Sequence, residues 1–210
     1  MLIMVSNATG IEVGLLAGRH PGRIGHLFSP GGERGPWREL PYALDNGAWG
    51  AHLNDRKWNE SEWRRLLVWA AMSGVRPIWS VVPDVVGNRT ETLERWMLFS
   101  PIVRSFGFRP AFAVQDGMTF ADVPDTECVL FLGGSTEWKL GAIGPWCSRF
   151  PGRVHVARVN TWDRLIDCWR AGAISVDGTG WFRKGRGGSS QFNDLRKFLN
   201  ETDGQRKVAA

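Results

Sequence analysis

The chain has 210 residues, 43% hydrophobic and 22% charged, a composition that fits one globular domain able to bury its own core and excludes disordered and collagen-like classes. Lys plus Arg number 26 against 21 Asp plus Glu, and the excess is uneven: from Trp181 onward seven Lys or Arg face three acids, which suits either a polyanionic partner or a solvated tail. Cys128, Cys147 and Cys168 lie far apart with no metal-type spacing, so no zinc site or disulfide framework is expected, a reducing cytoplasm fits, and no apolar run reaches membrane-spanning length.

In chain order, short apolar strands alternate with amphipathic helices. Strands are expected at residues 2–6, 24–29 and 42–45, with a short helix over 11–17. Asn59 and Glu62 are spaced as a capping box, and Trp63, Leu66, Leu67 and Ala70 then fall on one helical face that ends at Gly74. Residues 77–82 read as a buried strand ending at Pro83-Asp84, and Asn88 with Glu91 opens the next helix, where Pro101 predicts a kink or a fresh start. Strands at 111–114 and 128–132 follow, then a helix over 136–148 interrupted near Pro145. A seventh strand covers 154–159, Thr161 caps a helix ending at Gly172, and an eighth strand over 174–176 leads into Asp177. A last helix starts at Ser190, giving one domain over 1–200 and a flexible tail over 201–210. Eight βα repeats predict an α/β fold, a compact closed (β/α)8 barrel, with an open doubly wound parallel sheet as the alternative. No GxGxxG or Walker motif accompanies any strand.

Polar residues cluster where these strands end: Asp45-Asn46, Asp84, Gln115-Asp116, Gly133-Gly134, Asn160 and Asp177. In a parallel barrel they share one mouth, where each is individually a plausible turn former and together they suggest a site. Asp177 can act as a covalent nucleophile, although Asp-Gly is also a strong turn signal.

Taken in order, these residues resemble the tRNA-guanine transglycosylases and their DNA-acting relatives, the 7-deazaguanine DNA transglycosylases of phages and bacteria. The resemblance rests on Asp45-Asn46-Gly47-Ala48-Trp49, Val114-Gln115-Asp116-Gly117, Gly133-Gly134, the 156–160 strand end and the 172–186 segment. It implies a pentosyltransferase that exchanges guanine in DNA for a 7-deazaguanine such as preQ0, with tRNA as runner-up polymer. Asp177 would be the nucleophile and Asp45 the general base. Trp49, Asp84, Gln115, Gly133 and Gly134 would hold the base, while Arg158, Arg183, Lys184 and Arg186 would contact phosphates. No cofactor or metal is implied, since the family's Cys-rich zinc ligands have no counterpart here, and the setting would be a bacterial or phage-infected cytoplasm. A nucleobase or nucleoside N-glycosidase and a non-catalytic nucleic-acid-binding barrel are the competing expectations.

Overall fold

A computed structural model of the chain, describing residues 1–33, 39–182 and 190–208 with side chains as far as residue 203, shows eight parallel strands closed into a barrel. The strands are β1 (Leu2–Ser6), β2 (Ile24–Phe28), β3 (Tyr42–Leu44), β4 (Ser80–Val81), β5 (Pro110–Val114), β6 (Val129–Leu132), β7 (Val154–Val156) and β8 (Ser175–Gly178). Each pairs with the next in sequence, and β8 returns to β1 through registers such as Met4 opposite Asp177. Closure removes both sheet edges and rules out the open doubly wound alternative.

Side-chain alternation sorts the strands into two layers. Met4, Leu27, Ala43, Trp79, Ala111 and Val129 form one buried cluster, filling the barrel. Ile3, Phe28, Leu44, Phe112, Leu130 and Val176 belong to a second, larger cluster beneath the helices. The same alternation has a chemical consequence. With Val154 and Val156 packed against helices, His155 must point inward, and with Val176 outward, Ser175 and Asp177 must point inward.

The helices among the described residues are α1 (Ile11–Arg19), α2 (Ala48–Leu53), α3 (Glu60–Met72), α4 (Arg89–Ser105), α5 (Thr136–Arg149), α6 (Trp162–Arg170) and α7 (Ser190–Val208). Asn59 and Asn88 cap α3 and α4 as their spacing predicts, accepting from the backbone N–H of Glu62 and Glu91. Neither a fresh start at Pro101 nor an interruption at Pro145 occurs. Pro101 and Pro145 lie inside continuous helices, because a helix that buries Phe99 and Val103, or Ile143 and Trp146, on one face outweighs the single N–H a proline removes. The strand expected over 77–82 narrows to Ser80–Val81, since Pro77 and Pro83 offer no ladder donor. Helix α2 was not legible, having one turn and a half and starting at Gly47, whose φ of +79° is the left-handed region that favours glycine.

Helix α7 continues through Val208, past the point where a flexible tail is expected. Its Thr202 and Asp203 reach back to the start of the barrel: Arg23, 2% exposed, donates to Thr202 Oγ1 at 2.8 Å and to the Asp203 carboxylate, and His20 also contacts Asp203. Asp203→Ala therefore deprives a buried guanidinium of its anionic partner and is expected to cost about 2 kcal/mol in chemical denaturation. A variant as stable as wild type would show that α7 is dispensable. No helix among the described residues is long and apolar enough to cross a membrane.

Candidate active site at the barrel mouth

A cavity of about 300 Å³ opens among the C-terminal strand ends, lined by Asp45, Asp84, Gln115, Gly134, Arg158 and Asp177 among others. Trp49, from α2, and Gly133 border the same space. The structure thus brings together Asp45, Trp49, Asp84, Gln115, Gly133, Gly134, Arg158 and Asp177, whereas Asp116 turns to Ser135 and Asn160 to the Gly180 N–H; Arg183, Lys184 and Arg186 lie outside the described residues.

Asp177 belongs to β8 itself rather than to the loop after it. Its Oδ1 lies 3.0 Å from His155 Nε2 and accepts the Arg158 backbone N–H at 3.3 Å. His155 Nδ1 is 2.7 Å from Ser175 Oγ. Its ring stacks on Phe131 at 4.9 Å and meets the Trp79 edge at the same distance. An ionised carboxylate only accepts, so Nε2 carries a proton, and in the neutral ring Nδ1 then accepts from the Ser175 hydroxyl.

Asp45, at the end of β3, accepts from Ser29 Oγ at 3.0 Å. Burial, and then the negative charge of Asp177, push its pKa up to about 6; Asp84 adds to the rise and the Ser29 hydrogen bond opposes it. Asp84 is also raised by burial, opposed mainly by the Asn46 amide, which donates to its Oδ1 at 2.6 Å. Gln115 Nε2 donates to the other oxygen, Oδ2.

The wall around Asp84 is satisfied from within. Gln115 Oε1 accepts the backbone N–H groups of Gly87 at 3.0 Å and Gly134 at 3.2 Å, while Gly133 N–H goes to Val114 O at 3.0 Å. The side chain of Gln115 and the Gly133 and Gly134 N–H groups, expected to hold a base, make hydrogen bonds within the site itself. Gln115→Ala would strip partners from one carboxylate oxygen and two amides at once, with an expected stability loss of about 3 kcal/mol. Thermal denaturation that leaves the variant within experimental error of wild type would contradict this role.

Among the described residues that line the mouth, Arg158 supplies the positive charge. Its backbone is left-handed at φ +58°, its guanidinium carbon lies 3.7 Å from the centroid of the Trp49 ring, and its Nη2 donates to Gly134 O. A non-glycine residue held at positive φ is a strained position that the surroundings must impose. Lys139 of α5 supplies part of that constraint: it is 3% exposed and its Nζ donates to the carbonyl of Ala157, the residue before Arg158. Burial, and then the charge of Arg158, pull the Lys139 pKa down to about 7. Among the described residues no group of three His, Cys, Asp or Glu is placed to hold a metal ion.

Sequence reasoning missed His155, Ser175, Lys139 and Ser29. The Val-His-Val alternation of β7 was the available signal for His155, because it places the imidazole opposite two core valines. Lys139 gave none, since a lysine one turn into a helix is ordinarily exposed.

Fold and site together define a (β/α)8 barrel with a carboxylate-rich cleft at its C-terminal mouth, where barrels of this kind keep their chemistry. Solved structures of the same architecture include a native KDPGal structure, with a TM-score of 0.54 and 12% identity over 99% of this chain and 95% of that one. Another is a mutant tryptophan synthase α-subunit from the hyperthermophile Pyrococcus furiosus, with a TM-score of 0.56 and 15% identity over 97% of each chain. The P. furiosus tryptophan synthase complex is similar to the same extent, at 0.56 and 16%. No protein-family model and no curated protein matches the chain. These neighbours overturn the expected kinship with guanine transglycosylases and, with it, pentosyl transfer, 7-deazaguanine exchange and modification of DNA. The physical reason is plain: any parallel barrel needs polar turn formers after each strand, so short Asp-, Gln- and Gly-containing motifs recur in order without common chemistry.

Proposed function

We propose that the chain is a lyase-type acid–base enzyme acting on a small polar molecule. The observation that carries this reading is that Asp45 and Asp177 share one cavity in unlike environments. Asp45 is pushed to about 6 by burial and its neighbour's charge, while Asp177 accepts from an imidazole and a backbone amide. Two carboxyls set apart in this way are suited to opposite proton-transfer roles. Asp177 as carboxylate takes a proton from a substrate hydroxyl or acidic C–H, the electron pair moves to break the adjacent bond, and Asp45 as carboxylic acid protonates the departing group. Arg158, on the cavity wall, offsets charge that develops on a substrate oxygen.

The cavity supports a small ligand, its volume lying at the low end for ligand sites. The likeness to the KDPGal structure and to a tryptophan synthase α-subunit carries the fold alone. A broad compound panel tests the reading before any substrate is identified. The protein is incubated in D2O with hydroxy-carbonyl, amino-carbonyl and hydroxyalkyl-aromatic compounds, and NMR follows deuterium uptake and bond cleavage. Uptake that disappears in Asp177→Asn supports the reading; no uptake across the panel at pH 5–8 sinks it.

A further inference from the structure

We infer that His155 is a positioning residue for Asp177: with Ser175 behind it, the imidazole grips one carboxylate oxygen and leaves the other to face the cavity. This rests on the acid–base reading of the site, and its structural arm stands apart from it.

The geometry is directional. His155 is fully buried and inward-facing, clamped between the face of Phe131 and the edge of Trp79, so its ring plane is fixed before it meets Asp177. Ser175 and Asp177 are two residues apart on β8 and therefore lie on the same side of the strand. One imidazole on the neighbouring strand can reach both, with Nδ1 at 2.7 Å from the serine and Nε2 at 3.0 Å from the carboxylate. The serine hydroxyl fixes the tautomer by donating to Nδ1, which leaves Nε2–H to donate to Oδ1. Ser175 is itself 2% exposed and so acts through the ring rather than on a ligand. The hydrogen bonds from His155 and from the Arg158 backbone both fall on Oδ1, so Oδ2 is the oxygen left to take a proton. Asp45 from β3, Arg158 from the β7 loop and Lys139 from α5 also act on the Asp177 charge. Of these only Arg158 also bonds the carboxylate, through its backbone N–H and at the longer distance of 3.3 Å, so His155 is the side chain that orients it.

The test compares His155→Phe, which keeps the aromatic packing and loses both nitrogens, with His155→Gln, which keeps an N–H donor. Crystal structures of both variants report the Asp177 rotamer. The D2O exchange assay reports kcat and KM on any compound that wild type processes. We expect the Asp177 carboxylate to turn in His155→Phe, with kcat down about 10- to 100-fold and KM within about twofold, and both to recover substantially in His155→Gln. An unmoved carboxylate in His155→Phe overturns the inference, as does equal loss of kcat in the two variants. If wild type exchanges nothing, the acid–base reading fails alone, and the rotamer still decides the positioning role. Should His155→Phe fail to fold, Ser175→Ala replaces it, with the same carboxylate rotation expected and an unmoved carboxylate counting against the inference.

Discussion

Asp177→Asn is expected to lower the rate of proton transfer at the barrel mouth by about 10³-fold, within the range that a positioned general base contributes. The substitution is close to isosteric, and the amide oxygen can still accept from His155 Nε2 and from the Arg158 backbone N–H, the two groups that hold the carboxylate at 3.0 and 3.3 Å. What disappears is the basic lone pair. The fold should survive, because Asp177 stands in a strand whose ladder runs through backbone groups to β1 and β7. Deuterium uptake from D2O, read beside the melting temperature of the same sample, separates the two effects. A tenfold loss or less with an unchanged melting temperature would deny Asp177 the role of base.

Asp45→Asn should do the opposite to stability. The folded chain raises the Asp45 pKa from 3.8 to about 6, so the folded state prefers the neutral carboxyl. Its favourable contribution is fully present below pH 4 and is lost as pH rises through about 6. The difference amounts to roughly 2–3 kcal/mol at pH 8, at 1.36 kcal/mol per pH unit. An asparagine is neutral at every pH and can still accept the Ser29 hydroxyl. The variant should therefore match wild type near pH 4 and exceed it at pH 8, while losing the acid role in turnover. Urea denaturation at the two pH values reads the difference directly, and equal stability of variant and wild type at pH 8 would mean that the site does not strain Asp45. A gain in stability on removing a polar group is what a functional site tends to show.

Much of the barrel was legible because its signals are local and repeated. The Asn59 and Asn88 caps, the apolar face from Trp63 to Ala70 and the short apolar runs before each polar turn all report short-range physics. The features that escaped are those that tertiary packing decides. Pro101 and Pro145 read as breaks, yet burial carries α4 and α5 through them. Residues past 200 read as a tail, yet Arg23 at the other end of the chain gives Asp203 something to hold.

The site was half legible in the same sense. Asp45, Asp84, Gln115 and Asp177 follow from strand ends in a parallel barrel, because topology alone brings them to one mouth. Their partners do not. Ser29 meets Asp45 across 16 residues, Asn46 meets Asp84 across 38, and His155 meets Asp177 across 22, separations at which sequence spacing carries no contact information. The functional expectation failed for a related reason. It rested on the identities of turn-forming residues, which any parallel barrel supplies, and the solved structures that share the fold give it no support.

The most direct test of the central claim, two coupled carboxyls in one cavity, is the titration of Asp45 by carboxyl ¹³C NMR in wild type and in Asp177→Asn. A midpoint of about 6 is expected in wild type, with a clear downward shift in Asp177→Asn, where the neighbouring negative charge is gone. A wild-type midpoint near the ordinary carboxylate value, unmoved by Asp177→Asn, would contradict the coupling.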